Sequence, residues 1–308
     1  MLEQKASIIV FMVLSGIAST VMNKYLVSRL QIKTKFFILS VQTLVILVVL
    51  LPLNLLFFPE RTKEASQMIS QWFWISASLT AMVYTGLQAN THLSISLFTV
   101  LKNGSILIIA AYDWNFNQYQ ITGLTVASFG LIVLSSLLGT VSDSLGKKNQ
   151  VVDYKQKEKL LVGLAWVAVN CTTSASYTIR LRMIGQSTGL PSTVIAMYAN
   201  SLALPFIGLC TLGEYMSMGS FPFKHLWVVV LSGLSTALIA VSTAMAAANF
   251  TSTTVAMINA LNKAPISLSG VLFRFEQIES GWKWLSLGIS AAAGISYALS
   301  RSSLSMHA

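Results

Sequence analysis

The sequence predicts an all-α membrane protein with about ten transmembrane helices, arranged as two inverted repeats of five helices each. Three observations lead to this fold class. Only 10% of the 308 residues are charged while 54% are hydrophobic, whereas a soluble globular chain carries about 25% charged residues. Long apolar runs recur along the whole chain, and one polar stretch divides them into two equal groups. Such a composition leaves too few polar side chains to cover a surface in water.

The apolar runs define the predicted helices. A transmembrane helix needs roughly 20 mainly apolar residues, and ten runs approach that length. They lie at about 6–27, 36–58, 71–90, 92–113, 119–141, 160–182, 190–213, 224–248, 252–274 and 282–300. The first run is too long for the core of a signal peptide, so we expect it to remain as the first span. The narrow break between the third and fourth runs leaves counts of nine and eleven open.

A lysine-rich polar loop at 142–159 separates a first repeat at 1–141 from a second repeat, with a short tail, at 160–308. Each part holds five runs. Because five is odd, the second part must enter the membrane from the opposite side, and inverted repeats of this kind are common among transporters. The fourth and ninth runs support a repeat, since each places a lysine beside an asparagine inside an apolar span, as Lys102-Asn103 and as Asn262-Lys263.

The net charge of +10 limits the classes of binding partner that the protein can have. The basic residues are divided between short loops and apolar runs, so no soluble basic face exists to bind nucleic acid. Membrane lipid headgroups and an anionic solute fit this distribution better. The count of basic residues in the loops favours lumenal chain termini.

No catalytic or cofactor-binding pattern is visible. The three histidines lie at span edges and in the tail, without metal-ligand spacing. No nucleophile and base form a recognisable set, and no glycine-rich phosphate loop precedes a lysine. The sequence therefore predicts neither an enzyme nor a bound cofactor nor a metal, and any transport work would come from a gradient or an exchange.

Lys263 carries the strongest functional signal. A charged group at the centre of a span costs about 2.5–3.5 kcal/mol on insertion scales, so it needs a cavity or a partner. The candidate partners Asp113 and Glu214 lie near span ends. A lysine without a carboxylate suits a ligand that brings its own negative charge, although a structural lysine bonded to backbone carbonyls is the alternative. Pro265 follows and favours a break in the helix.

Asparagines accompany this lysine. Asn259 and Asn262 share a helix face with Lys263 and offer the donors and acceptors that a diphosphate and sugar hydroxyls require. Hydrogen bonding between helices is the alternative for both amides.

Two further lysine–asparagine pairs extend the candidate site. Lys102 and Asn103 form the corresponding pair in the first half. Asn23 and Lys24 form a third, unless the Lys24 side chain reaches to the membrane interface.

Tyr198 and Asn200, with the adjacent Ser201, are candidates for binding a base. A phenol and an amide can stack on and hydrogen-bond to a purine. The two residues are two positions apart, so on a regular helix they point in nearly opposite directions, and both can face one cavity only where the helix is distorted. Packing within the membrane is the alternative role for the tyrosine.

At these residues the chain resembles the nucleotide-sugar transporters of the drug/metabolite transporter superfamily, and within them the fungal GDP-mannose transporters. The family motif Gly-Ala-Leu-Asn-Lys is matched at four of five positions by Asn259-Ala260-Leu261-Asn262-Lys263. A second motif, Phe-Tyr-Asn-Asn, corresponds to Met197-Tyr-Ala-Asn200 and matches at Tyr198 and Asn200 only. In the family this motif helps to recognise guanine.

The resemblance implies ten helices, cytosolic termini, a central cavity and a homodimer in the Golgi membrane. It also implies that GDP-mannose enters the lumen in exchange for GMP. Three other functions stay open on the sequence alone. The first is transport of another nucleotide sugar, because the guanine motif is incomplete. The second is transport of a phosphorylated sugar, although phosphate-sugar translocators carry a Lys-Arg pair where this chain has Lys263-Ala264. The third is a non-transporting membrane paralogue, which the incomplete guanine motif also allows.

Overall fold

The computed structural model describes residues 2–32, 34–93, 98, 101–116, 122–145, 154–218, 223–262 and 281–306. Helices account for nearly all of them, and no strand occurs within these ranges. The helices are, in chain order, α1 (Leu2–Lys24), α2 (Lys35–Phe57), α3 (Pro59–Ser66), α4 (Ile69–His92), α5 (Gly104–Phe116), α6 (Gly123–Leu145), α7 (Tyr154–Ser187), α8 (Ser192–Ser201), α9 (Ala203–Met218), α10 (Leu226–Asn249), α11 (Ser252–Leu261) and α12 (Gly281–Met306). A π-helical turn, Tyr25–Arg29, follows α1, and a 3₁₀ turn, Phe223–His225, precedes α10.

The all-α prediction is confirmed for these residues. Within the described ranges, four helical segments are long and apolar enough to cross a membrane by length and composition: Glu3–Asn23, Lys35–Phe57, Ser192–Ser217 and Leu226–Asn249. They correspond to the first, second, seventh and eighth predicted spans. The protein is therefore an all-α membrane protein, because soluble folds do not present helices of this length and hydropathy to solvent.

Two predicted spans contain interruptions. In the fourth run, residues 101–102 are helical, Asn103 is in a turn, and α5 begins at Gly104. In the seventh run, α8 ends at Ser201 and α9 begins at Ala203. Pro205 explains the second break, because it has no backbone N–H to donate to the carbonyl of Ser201.

The helices flanking the polar stretch at 142–159 are longer than predicted. Helix α6 continues to Leu145 and α7 begins at Tyr154, so the described helices extend into both ends of this stretch. The three lysines, the glutamine and the glutamate at the beginning of α7 are good helix formers, which allows a helix to continue beyond its apolar part.

The chain forms two compact units that do not coincide with its two sequence halves. Unit 1 comprises Met1–Thr80 and Ser176–Thr251, and unit 2 comprises Ala81–Ala175 and Ser252–Ala308. In unit 1, α2 packs against α8, α9 and α10, and α1 packs against α10. In unit 2, α6 packs along α12, and α5 packs against α11. Each unit thus combines helices from both halves of the sequence.

Close backbone contacts hold unit 1 together at glycines. A Cβ added to Gly185 in α7 would lie 3.1 Å from the backbone Cα of Ala248 in α10. A Cβ at Gly233 in α10 would lie 2.7 Å from the Cβ of Val45 in α2. Small residues at such crossings let transmembrane helices approach closely, and dispersion contacts then stabilise the pair.

Candidate functional site

The Lys102-Asn103 pair lies at the helix interruption in unit 2. The Asn103 carbonyl accepts the Ile106 N–H at 3.0 Å, which begins the first turn of α5. The Asn103 side chain is buried and donates from Nδ2 to the Ser136 hydroxyl in α6 at 2.6 Å. Asn103 therefore has a structural contact with a neighbouring helix, and the adjacent lysine is held at a fixed position in the chain.

The Lys102 ammonium group has an aromatic neighbour. Its Nζ lies 5.7 Å from the centroid of the Phe98 ring, within the range of a cation–π contact. Within the described ranges, no carboxylate forms an ion pair with this lysine. No described acidic side chain therefore pairs with the Lys102 amine.

Cys171 in α7 binds the backbone at the same break. Its Sγ donates to the Leu101 carbonyl at 3.4 Å, with the Lys102 carbonyl at 3.8 Å. A helix interruption leaves carbonyl groups without their usual intrahelical donors, and a buried thiol can satisfy one of them. Nothing in the local sequence around Cys171 indicates this contact.

The two acidic residues considered as lysine partners have another role. Asp113, in α5 and completely buried, accepts hydrogen bonds through Oδ2 from both the backbone N–H and the hydroxyl of Thr253, each at 2.8 Å. Thr253 is the second residue of α11. The carboxylate therefore caps the N-terminus of α11, where free N–H groups and the helix dipole favour negative charge.

Glu214 in α9 caps α2 in the same manner. Its Oε1 accepts the Lys35 N–H at 2.7 Å, and its Oε2 accepts the Phe37 N–H at 3.0 Å. The residue at the N-cap position, Thr34, makes no capping bond with its own side chain. An acidic residue of another helix thus supplies what the local sequence does not.

These two caps join helices that the predicted repeat makes equivalent. Asp113 is the last residue of the predicted fourth span and caps the helix that begins the ninth span. Glu214 directly follows the predicted seventh span and caps the helix that begins the second span. With five spans in each half, the fourth matches the ninth and the second matches the seventh. Inverted repeats would place such paired helices alongside each other.

The second-half asparagines lie at the end of α11. The Asn262 N–H donates to the Ile258 carbonyl at 2.9 Å, and Asn262 itself is in a turn and buried. The Asn259 side chain is exposed, although most other residues of α11 are buried. Neither amide side chain has a hydrogen-bond partner within the described ranges. Both amides are therefore available to a ligand as far as these ranges extend.

The other motif residues of this segment divide into two groups. Ala260 is buried, and the Leu261 side chain lies where a Cβ on Gly294 of α12 would approach it to 3.0 Å. Leu261 therefore packs against α12. Lys263, the residue with the strongest sequence signal, lies outside the described residues, and its role stays a prediction.

Tyr198 and its neighbours have structural contacts within unit 1. The Tyr198 hydroxyl donates to the Thr62 carbonyl at 3.0 Å, and its ring stacks on Trp72 with centroids 5.5 Å apart. Asn200 donates to the Ala196 carbonyl of its own helix at 2.8 Å, and Ser201 donates to the Tyr198 carbonyl at 2.9 Å. The contacts of Tyr198 are those of the packing role that the sequence left open for the tyrosine, and base recognition by the three residues stays a prediction.

Asn23 also lies in unit 1. Its side-chain oxygen accepts a hydrogen bond from Gln42 Nε2 at 2.8 Å, and the same Gln42 nitrogen donates to the Ser232 hydroxyl at 2.9 Å. These hydrogen bonds join α1, α2 and α10. The backbone of Lys24 ends α1, and the position of its side chain lies outside the described features.

The candidate residues are therefore divided between the units. Lys102, Asn103, Asn259 and Asn262 belong to unit 2, where α5 and α11 pack together. Tyr198, Asn200 and Asn23 belong to unit 1. Among the residues searched in the described ranges, no three His, Cys, Asp or Glu side chains are grouped to hold a metal ion.

Comparison with known proteins gives one consistent result. The GDP-mannose transporter of Aspergillus oryzae is 31% identical over 297 residues, covering 93% of this chain and 78% of the relative. That of Aspergillus fumigatus is 33% identical over 269 residues, covering 84% and 70%. That of Phaeosphaeria nodorum is 31% identical, covering 93% and 79%.

One solved crystal structure, 12% identical in sequence, matches with a TM-score of 0.71 over 95% of this chain and 98% of the other. At this identity the match shows a shared fold. No protein-family model matches the chain.

Proposed function

The chain belongs to the family of fungal-type GDP-mannose transporters, and from this premise we propose that it is a Golgi antiporter that carries GDP-mannose into the lumen in exchange for GMP. Relatives with this name align over 93% of the chain at 31% identity, and this observation carries the proposal. The family consists of membrane transporters, and the protein is not an enzyme.

Lys102 is the described residue that best supports binding of a phosphorylated solute. It lies beside a helix interruption, and within the described ranges its charge has an aromatic neighbour but no carboxylate partner. The buried Asp113 accepts hydrogen bonds at the start of another helix. A diphosphate would supply the missing negative charge, and charge-assisted hydrogen bonds of this type are the strong ones.

We propose that Lys263, Asn259 and Asn262 bind the same substrate as Lys102. Ala260 and Leu261 lie between them in the chain and would position them. The two asparagine amides would bind sugar hydroxyls, and Lys263 would bind phosphate. Asn103 would position Lys102 through its bond to Ser136. Asn23 and Lys24 are included on the family resemblance.

The architecture that serves this function is ten transmembrane helices in two inverted repeats, at 1–141 and 160–308, working by alternating access. The reciprocal caps made by Asp113 and Glu214 support it, because each joins a pair of spans that the repeat makes equivalent. An empty carrier would hold unneutralised lysines, so its reorientation would be slow. Import would then be coupled to export of the monophosphate. We also expect a homodimer surrounded by membrane lipid. Its termini would be cytosolic, as the family resemblance implies, because lysines that face a cavity or lipid headgroups distort the count of basic loop residues.

Transport of another nucleotide sugar is the second candidate function. Tyr198, Asn200 and Ser201 would read the base, but the Tyr198 hydroxyl donates to a backbone carbonyl and its ring stacks on Trp72. With Ala199 in place of the first asparagine of the family motif, fewer polar groups remain to select guanine.

Exchange in liposomes tests both candidates. Vesicles containing the protein are loaded with GMP, and uptake of GDP-, UDP- and CMP-sugars is compared. We expect GDP-mannose to enter fastest and only when GMP is inside. Preferred uptake of a UDP- or CMP-sugar would establish the second candidate, and the absence of exchange with every substrate would refute transport.

Charge-removing variants test the site. Lys102→Ala and Lys263→Ala should each lower exchange by about tenfold or more, the effect of losing one charge-assisted bond. Lys63→Ala, which removes an exposed lysine of α3, is the matched control and should exchange normally. Near-normal exchange by both site variants, with all proteins equally folded by size-exclusion chromatography, would remove the lysines from the mechanism.

A further inference from the structure

A cavity of about 300 Å³ lies in unit 1 between the beginning of α4 and the end of α7. Ser70, in the first turn of α4, and Ser187, the last residue of α7, both line it. Arg180 lines it seven residues before the end of α7, which is about 10 Å further along the helix. The cavity therefore lies at the helix ends, the level at which a membrane-spanning helix meets the headgroup region.

Arg180 is the one charged residue among those lining the cavity. Its Nε donates to the Ser176 hydroxyl at 3.2 Å, and its guanidinium carbon lies 5.6 Å from the centroid of the Trp74 ring. These contacts leave both terminal nitrogens without an acceptor in the part of the chain that the structure describes. A guanidinium oriented in this way offers the paired donors that bind a phosphate group bidentately.

The rest of the lining is amphipathic. Ser70, Gln71 and Ser187 provide hydroxyl and amide groups, whereas Ile75, Met183 and Ile184 provide apolar wall. Trp74 is 53% exposed and Met183 is 56% exposed, so the cavity is open to the surroundings of the chain. Tryptophan is enriched at the level of lipid headgroups, and basic residues at that level attract anionic lipids.

We propose that this cavity binds the phosphate headgroup of an anionic membrane phospholipid, with Arg180 as the phosphate ligand. The volume is at the lower end of small-molecule sites, roughly 300–1,000 Å³. It therefore holds the headgroup and the first methylene groups, while the rest of the acyl chains stay in the bilayer. The apolar wall favours a lipid over a soluble anion. The site is independent of the transported substrate, so neither proposal depends on the other.

Lipid titration of the purified protein in detergent tests the proposal. Phosphatidylglycerol should raise the melting temperature in a saturable manner, and Arg180→Gln should raise the half-saturating concentration about tenfold, the change expected for one charge-assisted bond. Arg61→Gln is the matched control, because Arg61 is exposed on α3 and pairs with Glu64 at 2.9 Å, outside the cavity. Identical titrations for wild type and Arg180→Gln would overturn the proposal.

Inorganic phosphate is the second ligand in the same assay. It should produce no shift at the concentrations at which phosphatidylglycerol saturates. An equal shift by phosphate that is lost in Arg180→Gln would show a site for free anions and would overturn the assignment to lipid.

Photo-crosslinking tests the site with Arg180 intact. Benzoylphenylalanine in place of Ser187, in vesicles with equal amounts of phosphatidylglycerol and phosphatidylcholine, should give adducts enriched in phosphatidylglycerol. The same group in place of Ser217, exposed on α9 and outside the cavity, should give adducts in the proportions of the bilayer. Bulk proportions at both positions would contradict a selective site.

Discussion

Replacing Asp113 tests whether a buried carboxylate holds α11 in place. Asp113→Ala removes an acceptor that takes two hydrogen bonds at 2.8 Å, both from Thr253. Both residues are completely buried, so water does not replace the lost carboxylate. The Thr253 N–H and hydroxyl therefore lose the acceptor that Asp113 provides. Bonds to charged groups contribute about 1.5–3 kcal/mol each, and loss of an N-cap alone costs up to about 2 kcal/mol.

Because the two bonds share one oxygen atom, their contributions do not add fully. We expect Asp113→Ala to lower the free energy of unfolding by about 3 kcal/mol, which corresponds to a fall in melting temperature of about 5–10 °C. Asp113→Asn keeps one oxygen for Thr253 and should lose about 1 kcal/mol. The measurement is thermal unfolding in detergent, followed by intrinsic tryptophan fluorescence.

Asn115→Ala is the control on the same helix. Asn115 is exposed, and among the described residues it donates only to the Ala111 carbonyl of α5, so its replacement should change stability by no more than about 0.5 kcal/mol. If Asp113→Ala melts at the same temperature as Asn115→Ala, the carboxylate does not stabilise the start of α11 and the capping argument is wrong.

Two further predictions concern packing in unit 1. Gly185→Ala should lower the free energy of unfolding by about 1–3 kcal/mol, because its Cβ would lie 3.1 Å from the backbone of Ala248. The control Gly208→Ala places its added Cβ with no atom within 4 Å, so it should be neutral or stabilising by up to about 1 kcal/mol. Equal melting temperatures for the two variants would show that the helix crossing at Gly185 is not tight. Tyr198→Phe removes the bond to the Thr62 carbonyl and should lower stability by about 1 kcal/mol while keeping the ring stack. Unchanged stability together with altered preference among GDP-, UDP- and CMP-sugars would show instead that this hydroxyl contacts the substrate.

Much of the helical architecture could be predicted from the sequence because it depends on local composition. A run such as 36–58 is almost wholly apolar, and the helix found there, Lys35–Phe57, differs from it by one residue at each end. Burial of backbone polar groups in lipid permits only a helix for such a run. The break after Ser201 could also have been found, since Pro205 is visible in the sequence.

Other features depend on contacts between residues that are distant in the chain, and no local sequence pattern indicates such contacts. Glu214 was interpreted only as an acidic residue near a span end, yet it caps a helix that begins 179 residues earlier. The thiol of Cys171 contacts the Leu101 carbonyl, 70 residues away. Among the candidate site residues, the sequence marks Lys102 as a basic residue in an apolar segment, but it cannot show which side chains lie beside it.

The reciprocal caps also indicate where a moving carrier can bend. Pulling α5 away from α11 would expose the Asp113 carboxylate to an apolar environment without its donors, and separating a buried charge from its partners costs about 3–5 kcal/mol. Separating α9 from α2 would likewise remove the two backbone donors of the Glu214 carboxylate. Each of these helix pairs is therefore expected to move as one rigid body. The flexible joints would be the chain breaks at Asn103 and Leu202, where the helical hydrogen-bond ladder is already open.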